Sequence, residues 1–233
     1  MCSRRKGDPI PTPSKVKPRK SAGQRSRSRP EVAYHHGDLR RALIEAALAL
    51  AADSGPAAVS VREAARRAGV SPAAPFRHFA SRDALLIAVA EEAQRRFRAE
   101  IDAALSDLPA DAPLQRLRAL AVAYFRWAMR NPAHFEIIST RSAFDHQTSV
   151  SVAQDNAELI AMTERLLAEA ARRGDMAEID LKAAQITGRA LVYGLARMQI
   201  DGHFPRWGVA ADDVERTAEQ AIDLFIRSLG RRD

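Results

Sequence analysis

The segment from Ser60 to Phe79 constrains the fold of this chain more than any other stretch. Ser60 and Glu63 form an S-x-x-E capping box, in which the serine oxygen accepts a backbone N–H one turn in and the glutamate reaches back to the cap. After the cap, apolar residues recur at helical spacing and define one face of a short helix: Val61, Ala64, Ala65 and Ala68. Because most of this face is alanine, a second helix can cross it closely.

A glycine-containing turn follows and predicts a second short helix. Gly69 ends the first helix, since glycine adopts a left-handed conformation without steric cost. Ser71 then caps the second helix, and Pro72 occupies its first position, where a missing N–H costs nothing. Two short helices joined by such a turn are typical of the helix-turn-helix, whose second helix enters the major groove of DNA.

The same pattern also fits a generic helical hairpin in an all-α protein. Three consecutive residues of the second helix, Phe76, Arg77 and His78, favour DNA binding over that alternative. They place an aromatic ring and two potential cations where such a helix faces outward. A solvated charged face does not usually carry an aromatic residue, and we therefore interpret the segment as a helix-turn-helix.

Three stretches in and around this segment carry a resemblance to a known family. They are YHHGDLRRALIEAAL (Tyr34 to Leu48), SVREAARRAGVS (Ser60 to Ser71) and RHFASRDALLIAVA (Arg77 to Ala90), about a quarter of the chain. Together they resemble the DNA-binding domain of the TetR/AcrR family of bacterial one-component regulators. Ala64 stands where this family commonly has a larger aliphatic residue, and Pro75 stands where Leu is common. Pro75 can forfeit a helix hydrogen bond, which affects the expected pose of the second helix.

The positive charge of the chain is concentrated at its N-terminus. Residues 1–30 contain ten Lys and Arg residues and one acidic residue, which gives them a net charge of +9. The whole chain has a net charge of +7, so the remainder sums to −2 and DNA binding cannot rest on overall charge. We expect residues 1–33 to be a disordered basic arm. It attracts phosphates without sequence specificity, or it is a solvated extension with no role, or it reflects a misassigned start.

Three features indicate a cytoplasmic protein, associated with the nucleoid when bound to DNA. The single cysteine, Cys2, excludes an internal disulfide, which suits a reducing compartment. No stretch approaches about 18 uninterrupted apolar residues, so neither a transmembrane helix nor a membrane partner is expected. The basic N-terminus is not followed by an apolar run and does not resemble a secretory signal.

The remaining pattern predicts an all-α protein of about nine helices, without strands or internal repeats. We expect a three-helix helix-turn-helix domain at residues 34–97 and a larger helical effector-binding and dimerisation domain at residues 98–233. Asp38 is the predicted cap of the first long helix. Caps, prolines and glycines predict the bounds of the long helices as 37–54, 82–105, 113–130, 132–140, 149–173, 179–201 and 211–229.

The candidate DNA contacts fall into two classes. Arg62 and Arg77 can reach base edges, since a bidentate contact of Arg with guanine is the commonest specific contact, and Phe76 can lie against a thymine methyl group. Contacts to phosphates fix the register of the protein on DNA without reading the sequence. We assign Ser60, Ser71, His78 and Arg82 to phosphates, while Ala73 and Ala74 approach the bases with methyl groups only.

The resemblance implies a small-molecule effector, often hydrophobic, that binds in the C-terminal body and shifts the spacing of two DNA-binding heads. Aromatic and Met residues of the body collectively suit an apolar pocket between helices. Residues of these types at helical spacing also form plain core, and that alternative stays open for each of them. The candidate pocket residues are Tyr124, Trp127, Met129, Phe135, Phe144, Met162, Tyr193 and Met198.

Two late helices suit a homodimer interface. Small residues recur along the first from Ala183 to Ala196, which allows close approach. The second carries an apolar stripe formed by Ile222, Phe225, Ile226 and Leu229. The resemblance implies that these helices from two subunits form a four-helix bundle; in the alternative, they pack inside one subunit. Val192-Tyr193-Gly194 also weakly resembles the Trp-His-Gly signature of one subgroup, with Tyr193 where His is expected.

The sequence offers no catalytic or metal-binding constellation, and we expect neither an enzyme nor a cofactor. Its six His residues are scattered, and it has no H-E-x-x-H, Cys–His pair, Walker loop or G-x-S-x-G motif. The expected function is a ligand-responsive transcriptional regulator, a repressor released from a pseudo-palindromic operator in double-stranded DNA by a small-molecule effector. The alternative is an architectural DNA-binding protein that uses the basic arm without sequence specificity.

Overall fold

The structure, a computed structural model, describes residues 36–139 and 149–231. These ranges are all-α, as the sequence predicts, with no strand and one isolated antiparallel bridge between Met176 and Gly230. They contain eight α-helices where about nine were expected, because a 3-10 turn replaces the second helix of the helix-turn-helix. The α-helices are α1 (His36–Ser54), α2 (Val61–Arg67), α3 (Arg82–Ser106), α4 (Pro113–Arg130), α5 (Pro132–Ser139), α6 (Val150–Arg173), α7 (Leu181–Ile200) and α8 (Val214–Leu229), and 3-10 helices lie at Pro56–Ala58, Ala74–Arg77, Phe204–Trp207 and Ala211–Asp213.

Most helix ends lie at the local signals that the sequence carries. The Ser81 hydroxyl accepts a hydrogen bond from the Ala84 N–H at the start of α3 (3.1 Å), and Gly174 ends α6 with a φ of 78°. Helix α1 differs from expectation, because it begins at His36 and Asp38 therefore lies inside the helix and not at its cap.

Two helices of the C-terminal part begin later than expected. At α7, the Asp180 carboxylate accepts hydrogen bonds from the backbone N–H groups of Lys182 (2.8 Å) and Ala183 (3.1 Å), so the helix starts after this cap and not at Ile179. At α8, the 3-10 turn Ala211–Asp213 precedes the α-helix. At α7, the group that satisfies the free N–H donors of the first turn decides where the helix begins, whereas α8 has no side-chain cap.

Helices α1 and α2 and the N-terminal half of α3 pack around one apolar cluster, and we call this part the head. Leu43 and Ala47 of α1 share the cluster with Leu85, Leu86 and Val89 of α3, and all five side chains are fully buried. Burying one Leu or Val side chain contributes about 1.5–3 kcal/mol to folding. One face of α3 is therefore turned toward the head.

The head shares its cluster with the body, as we call helices α4–α8. Ala133 and Ile137 of α5 and Val152 of α6 are buried in the same cluster as the head residues. Helix α3, which is 25 residues long, continues into a second cluster, where Phe97 and Ile101 are buried. One helix and one continuous packing therefore connect the head to the body.

Helix α4 lies at the centre of the body and contacts each of the helices α3, α5, α6, α7 and α8. Its residues Phe125 and Trp127 are buried. The ring of Phe97 on α3 lies 4.7 Å from the Trp127 ring and 5.3 Å from the Tyr124 ring, measured between centroids. Aromatic pairs at these separations add to the stability that burial alone provides.

A charge network joins α1, α3 and α5 where the head meets the body. Arg96 of α3 pairs with Glu45 of α1 and with Glu92 of α3. The Nη1 atom of Arg96 also lies 3.4 Å from Nε2 of His134 on α5. Burial lowers the pKa of His134, and the nearby positive charge of Arg96 lowers it further. Protonation of His134 therefore opposes folding.

The free energy of unfolding should fall as the pH drops below the ordinary His pKa of 6.5. Because the pKa of His134 is lower in the folded protein, the unfolded chain binds more protons in this range, and acid favours unfolding. Replacing His134 with Gln should remove this contribution, so that stability changes less between about pH 7 and about pH 5. Urea denaturation at several pH values in this range gives the free energy of unfolding. If that free energy changed with pH equally in the variant and the wild type, the prediction would be contradicted.

Candidate nucleic-acid interface and effector chamber

The second α-helix predicted after the turn is absent, and the 3-10 turn Ala74–Arg77 takes its place. An α-helix capped by Ser71 would need residue 75 to donate the first hydrogen bond to the Ser71 carbonyl, but Pro75 has no N–H group. The Ala74 N–H donates to that carbonyl instead (3.1 Å), which is the shorter-range bond of a 3-10 helix. The prediction of an α-helix with Ser71 as its side-chain cap is therefore wrong.

The first helix of the motif forms as predicted, with one difference. The Ser60 Oγ accepts the Glu63 N–H (3.1 Å), and Gly69 follows the helix with a φ of 71°. The Glu63 carboxylate does not return to the cap; it accepts hydrogen bonds from Arg66, which lower the pKa of Glu63. Half of the capping box is therefore formed. The inner face of the helix is confirmed by the burial of Val61, Ala64 and Ala65.

The outer surface of the head combines an aromatic ring with cations. Phe76 is 49% exposed, and Arg77 beside it and Arg62 on α2 are exposed as well. Within the described ranges, no carboxylate pairs with Arg62 or Arg77, whereas Arg66 and Arg67 of α2 are both ion-paired. Unpaired guanidinium groups beside an exposed ring suit a surface that contacts phosphates and base edges.

The other candidate contacts differ in how accessible they are. Ser71 and Ala73 are exposed, while Ala74 and His78 are half-buried. Ser60 is half-buried too, and its oxygen is the cap of α2. The exposed members of this set lie next to Phe76 in the chain, so the short segment between the turn and α3 carries most of the accessible candidates.

Arg82 connects parts of the head to each other. Its Nε donates to the Val59 carbonyl (2.8 Å) and its Nη2 to the Pro56 carbonyl (3.0 Å), which ties the start of α3 to the turn between α1 and α2. Two of the five donors of this side chain are thus used inside the protein, and the contact of Arg82 with a phosphate stays a prediction. Phe79, which is not among the candidate DNA contacts, is buried in the head cluster.

The body contains a partly open chamber of ≈ 540 Å³ between α3, α4, α6, α7 and α8, reaching the end of α5. A cavity of this size accepts a drug-sized ligand. Its walls are mainly aliphatic and aromatic, and two cations, Lys182 and Arg189, also line it. No Asp or Glu of the described residues lines the chamber. Apolar wall residues include Phe97, Ile101, Leu120, Leu159, Leu191 and Phe225.

Of the candidate pocket residues in the described ranges, Tyr124 alone lines this chamber. Phe144 lies outside the described residues. The other six belong to the body cluster or pack against it, which favours the plain-core alternative, and their part in a pocket stays a prediction: Trp127, Met129, Phe135, Met162, Tyr193 and Met198. Helical spacing shows which face of a helix is turned inward, but it does not show whether the facing helix fills the space. The mainly aliphatic residues of the chamber wall could therefore not be predicted from helical spacing.

The helices predicted to form the dimer surface are partly used within one subunit. Ile222 and Leu229 of α8 are buried, and the Phe225 ring packs on Gly188 of α7, where a Cβ atom would lie 2.9 Å from the ring. The intramolecular alternative therefore holds for much of the apolar stripe, because this stripe is the face that α8 presents to its own core. The outward side of the same two helices exposes Ala183, Ile186, Ala190 and Leu224.

Charged side chains of the body mostly pair with one another, as Arg118 does with Asp223 and Arg126 with Glu215. In residues 36–139 and 149–231, His, Cys, Asp and Glu side chains do not form a group of three that could hold a metal ion. No helix in these ranges is both long enough and apolar enough to cross a bilayer.

Known proteins resemble both parts of the chain. The family described as "Bacterial regulatory proteins, tetR family" matches residues 43–89, and "Tetracyclin repressor-like, C-terminal domain" matches residues 117–225. The transcriptional regulator BetI of Brucella suis is 30% identical over 186 residues, which are 78% of this chain and 86% of that protein. The transcriptional repressor KstR of Rhodococcus jostii is 27% identical over 198 residues, 83% of this chain and 85% of that protein.

Solved structures share the whole described fold. A protein of unknown function from Rhodococcus sp. RHA1 has a TM-score of 0.70 at 30% identity and covers 86% of this chain and 100% of its own. A tetR-family regulatory protein from Rhodococcus RHA1 has a TM-score of 0.67 at 25% identity, with 84% and 98% covered. Fold, surface and relatives define a DNA-binding transcriptional regulator and not an enzyme. The chain belongs to the TetR family of bacterial regulators.

Proposed function

We propose that the protein is a homodimeric repressor that leaves a pseudo-palindromic operator when a small molecule binds in the chamber. The observation that carries this proposal is the course of α3. Its N-terminal half supplies Leu85 and Leu86 to the head cluster, and its C-terminal half supplies Phe97 and Ile101 to the chamber wall. A ligand that displaces the wall acts on the same helix that holds the head.

A second connection runs from the chamber to α3 through α6. The hydroxyl groups of Ser149 and Ser151 at the start of α6 both donate to the Glu91 carboxylate on α3 (3.0 Å each), and Leu159 further along α6 lines the chamber. Effector binding would bias two arrangements of the heads relative to each other. A coupling free energy of about 1–3 kcal/mol, typical of allosteric proteins, corresponds to roughly 5- to 150-fold in operator affinity.

In the proposed DNA complex, Arg77 and Arg62 reach base edges and Phe76 lies against a thymine methyl group or the sugar–phosphate wall. These three side chains carry the sequence preference of each head. Phosphate and methyl contacts set the register without adding a strong preference. We assign these to Ser60, Ser71, Ala73, Ala74, His78 and Arg82, although two of the five donors of Arg82 are used within the head.

The shortness of the 3-10 turn Ala74–Arg77 explains why two heads are needed to recognise an operator. A 3-10 turn of four residues spans about 8 Å and presents few side chains to the groove. Two heads of a dimer can read two half-sites separated by about 34 Å, one turn of the DNA helix. We propose that the exposed small and apolar residues of α7 and α8 that do not line the chamber, Ala183, Ala190 and Leu224, form the interface between the subunits.

Operator release tests the proposed function. The DNA beside the coding region is first searched for an inverted repeat, and fluorescence anisotropy at fixed salt measures the affinity of the full-length protein for it. A compound that raises the melting temperature of the protein should also lower operator affinity. Ala121→Phe narrows the chamber, because Ala121 lines it, and should abolish both the rise in melting temperature and the loss of operator affinity that the compound causes. Specific operator binding that no such compound weakens would contradict the ligand-responsive part.

The net charge of +9 on residues 1–30 favours a second candidate, an architectural DNA-binding protein driven by the basic arm. Competition with random DNA at several salt concentrations separates the two functions. A repressor keeps an operator preference of about 10³-fold or more over random DNA, whereas an arm-driven binder shows none. We propose that the arm, residues 1–33, adds phosphate attraction to operator binding, and that the protein acts in the cytoplasm, on the nucleoid.

A further inference from the structure

Arg189 differs from the other cation on the chamber wall, because its charge has no acidic partner within the described ranges. Lys182 is paired with Glu164. The Arg189 guanidinium instead donates through Nη1 to the Tyr124 hydroxyl (2.5 Å) and lies 4.9 Å from the centroid of the Tyr124 ring and 5.2 Å from that of the Tyr193 ring. The two rings hold the guanidinium by cation–π attraction but do not neutralise its positive charge.

The hydrogen-bonding capacity of this corner is only partly used. A guanidinium has five N–H donors, and Tyr124 accepts one of those of Arg189. The Tyr124 hydroxyl is an acceptor in that bond, so its own O–H is available to a ligand. Burial raises the pKa of Tyr124, against the opposing effect of Arg189, and the hydroxyl therefore keeps its proton at neutral pH. Both side chains offer donors to the chamber.

The rest of the wall has little to offer a charged ligand. Apart from the Lys182–Glu164 pair, its polar groups are uncharged side chains such as Gln94, Asn156 and Thr163. The apolar side chains of α3, α4 and α6–α8 make up most of the lining. An unneutralised cation at one place on an apolar wall repels a cationic ligand and attracts a molecule that is apolar for most of its length and anionic at one end.

We propose that the chamber binds an apolar molecule that ends in a carboxylate, whose oxygens pair with Arg189 and accept the Tyr124 hydroxyl. This inference rests on the proposed function, since it names the class of effector for the same chamber. The planar guanidinium can meet both carboxylate oxygens at once, which a lysine ammonium cannot match. The apolar part of the ligand then lies along the wall formed by Phe97, Leu159 and Leu191.

Binding of dodecanoate and dodecanol to the full-length protein tests this assignment. The two probes share the apolar chain and differ in the head, and calorimetry below the concentration at which dodecanoate aggregates gives both affinities. Dodecanoate should bind at least about tenfold more tightly, because a hydrogen-bonded charge pair is worth more than a neutral contact. Arg189→Met keeps an apolar stem and should abolish this preference while dodecanol binds as before, and Arg189→Lys should restore part of it.

Lys182→Met is the matched control, because it removes the same charge from a wall residue that already has an acidic partner. It should keep the preference for dodecanoate. Equal affinities for the two probes in the wild type, no dodecanoate binding, or a preference that survives in Arg189→Met would each overturn the inference. Light scattering and thermal unfolding confirm that the variants keep their oligomeric state and fold.

Operator affinity measured with the same two probes separates this inference from the proposed function. Dodecanoate that binds with the expected preference but leaves the operator bound supports the anion site and contradicts ligand-responsive repression. Two probes that bind equally and both release the operator overturn the anion site and support the repressor. The two claims therefore fail in different measurements.

Discussion

Replacing Arg77 with Ala should weaken operator binding by about 1–3 kcal/mol, or roughly 5- to 150-fold, because the side chain is expected to contact a base edge. Arg77 is exposed and has no carboxylate partner among the described residues. The free energy of unfolding of the protein should therefore change by less than about 0.5 kcal/mol in this variant. Fluorescence anisotropy with operator and random DNA at one salt concentration measures the loss, which should be larger for the operator.

Arg206→Ala is a suitable control for this experiment. Arg206 is exposed in the 3-10 turn Phe204–Trp207 of the body, so its removal changes the net charge of the protein equally without touching the head. Arg77→Lys keeps the charge but loses the planar fork, and should recover phosphate attraction without base preference. Equal losses for Arg77→Ala and Arg206→Ala would show that Arg77 contributes through net charge alone.

Replacing Trp127 with Ala should lower the free energy of unfolding by about 3–5 kcal/mol, the usual loss for truncating a large aromatic core residue. Trp127 is 2% exposed, and its ring packs at a tilt against that of Phe97, which also lines the chamber. The sequence suggested that Trp127 contacts an effector, whereas the structure places it in the core behind the chamber wall. Urea denaturation at constant pH measures the loss.

Trp207 provides the matched comparison. It is 76% exposed, so Trp207→Ala should change stability by less than about 0.5 kcal/mol although the same side chain is removed. If Trp127→Ala changed stability as little as Trp207→Ala does, and impaired effector binding instead, Trp127 would belong to the ligand site and not to the core.

Features set by a few neighbouring residues could be predicted from the sequence. Pro113 and Gly174 mark helix ends in the chain and in the structure, because a missing N–H group and a left-handed φ act within one turn. The inner faces of α2 and α3 could also be predicted, since helical spacing requires that Leu85 and Leu86 point to the same side. All-α architecture follows from many such local signals.

The second element of the helix-turn-helix shows where local reasoning was incomplete. Pro72 fits the first position of a helix, and its presence favoured a helical interpretation. Pro75 lies where the first main-chain hydrogen bond of that helix would be donated, and the missing donor favours the shorter bonds of the 3-10 pattern. The departure at Pro75 was visible in the sequence, but the balance between a bent α-helix and a 3-10 turn depends on how Pro75 is buried against the head.

The chamber could not be predicted, because an empty space depends on several helices at once. Tyr124 and Phe135 are both aromatic residues of the body that were predicted to line a pocket, yet Tyr124 lines the chamber and Phe135 is buried in the body cluster. The role of Arg189 depends on what surrounds it. One ring comes from Tyr124, which is distant in the chain, and the other from Tyr193, one helical turn away. No carboxylate within the described ranges pairs with Arg189. A sequence pattern shows a charged residue on a helix and not its missing counter-charge.

In the proposed mechanism, the helix shared by the head and the chamber wall couples the two sites, and this coupling is reciprocal. If an effector lowers the affinity for the operator by some factor through α3, the operator must lower the affinity for the effector by the same factor. The repressor that is free in solution then binds the effector more tightly than the repressor that is bound to the operator. Every molecule held away from its operator would therefore act as a buffer for the effector, and the concentration at which the gene responds would rise with the amount of repressor in the cell.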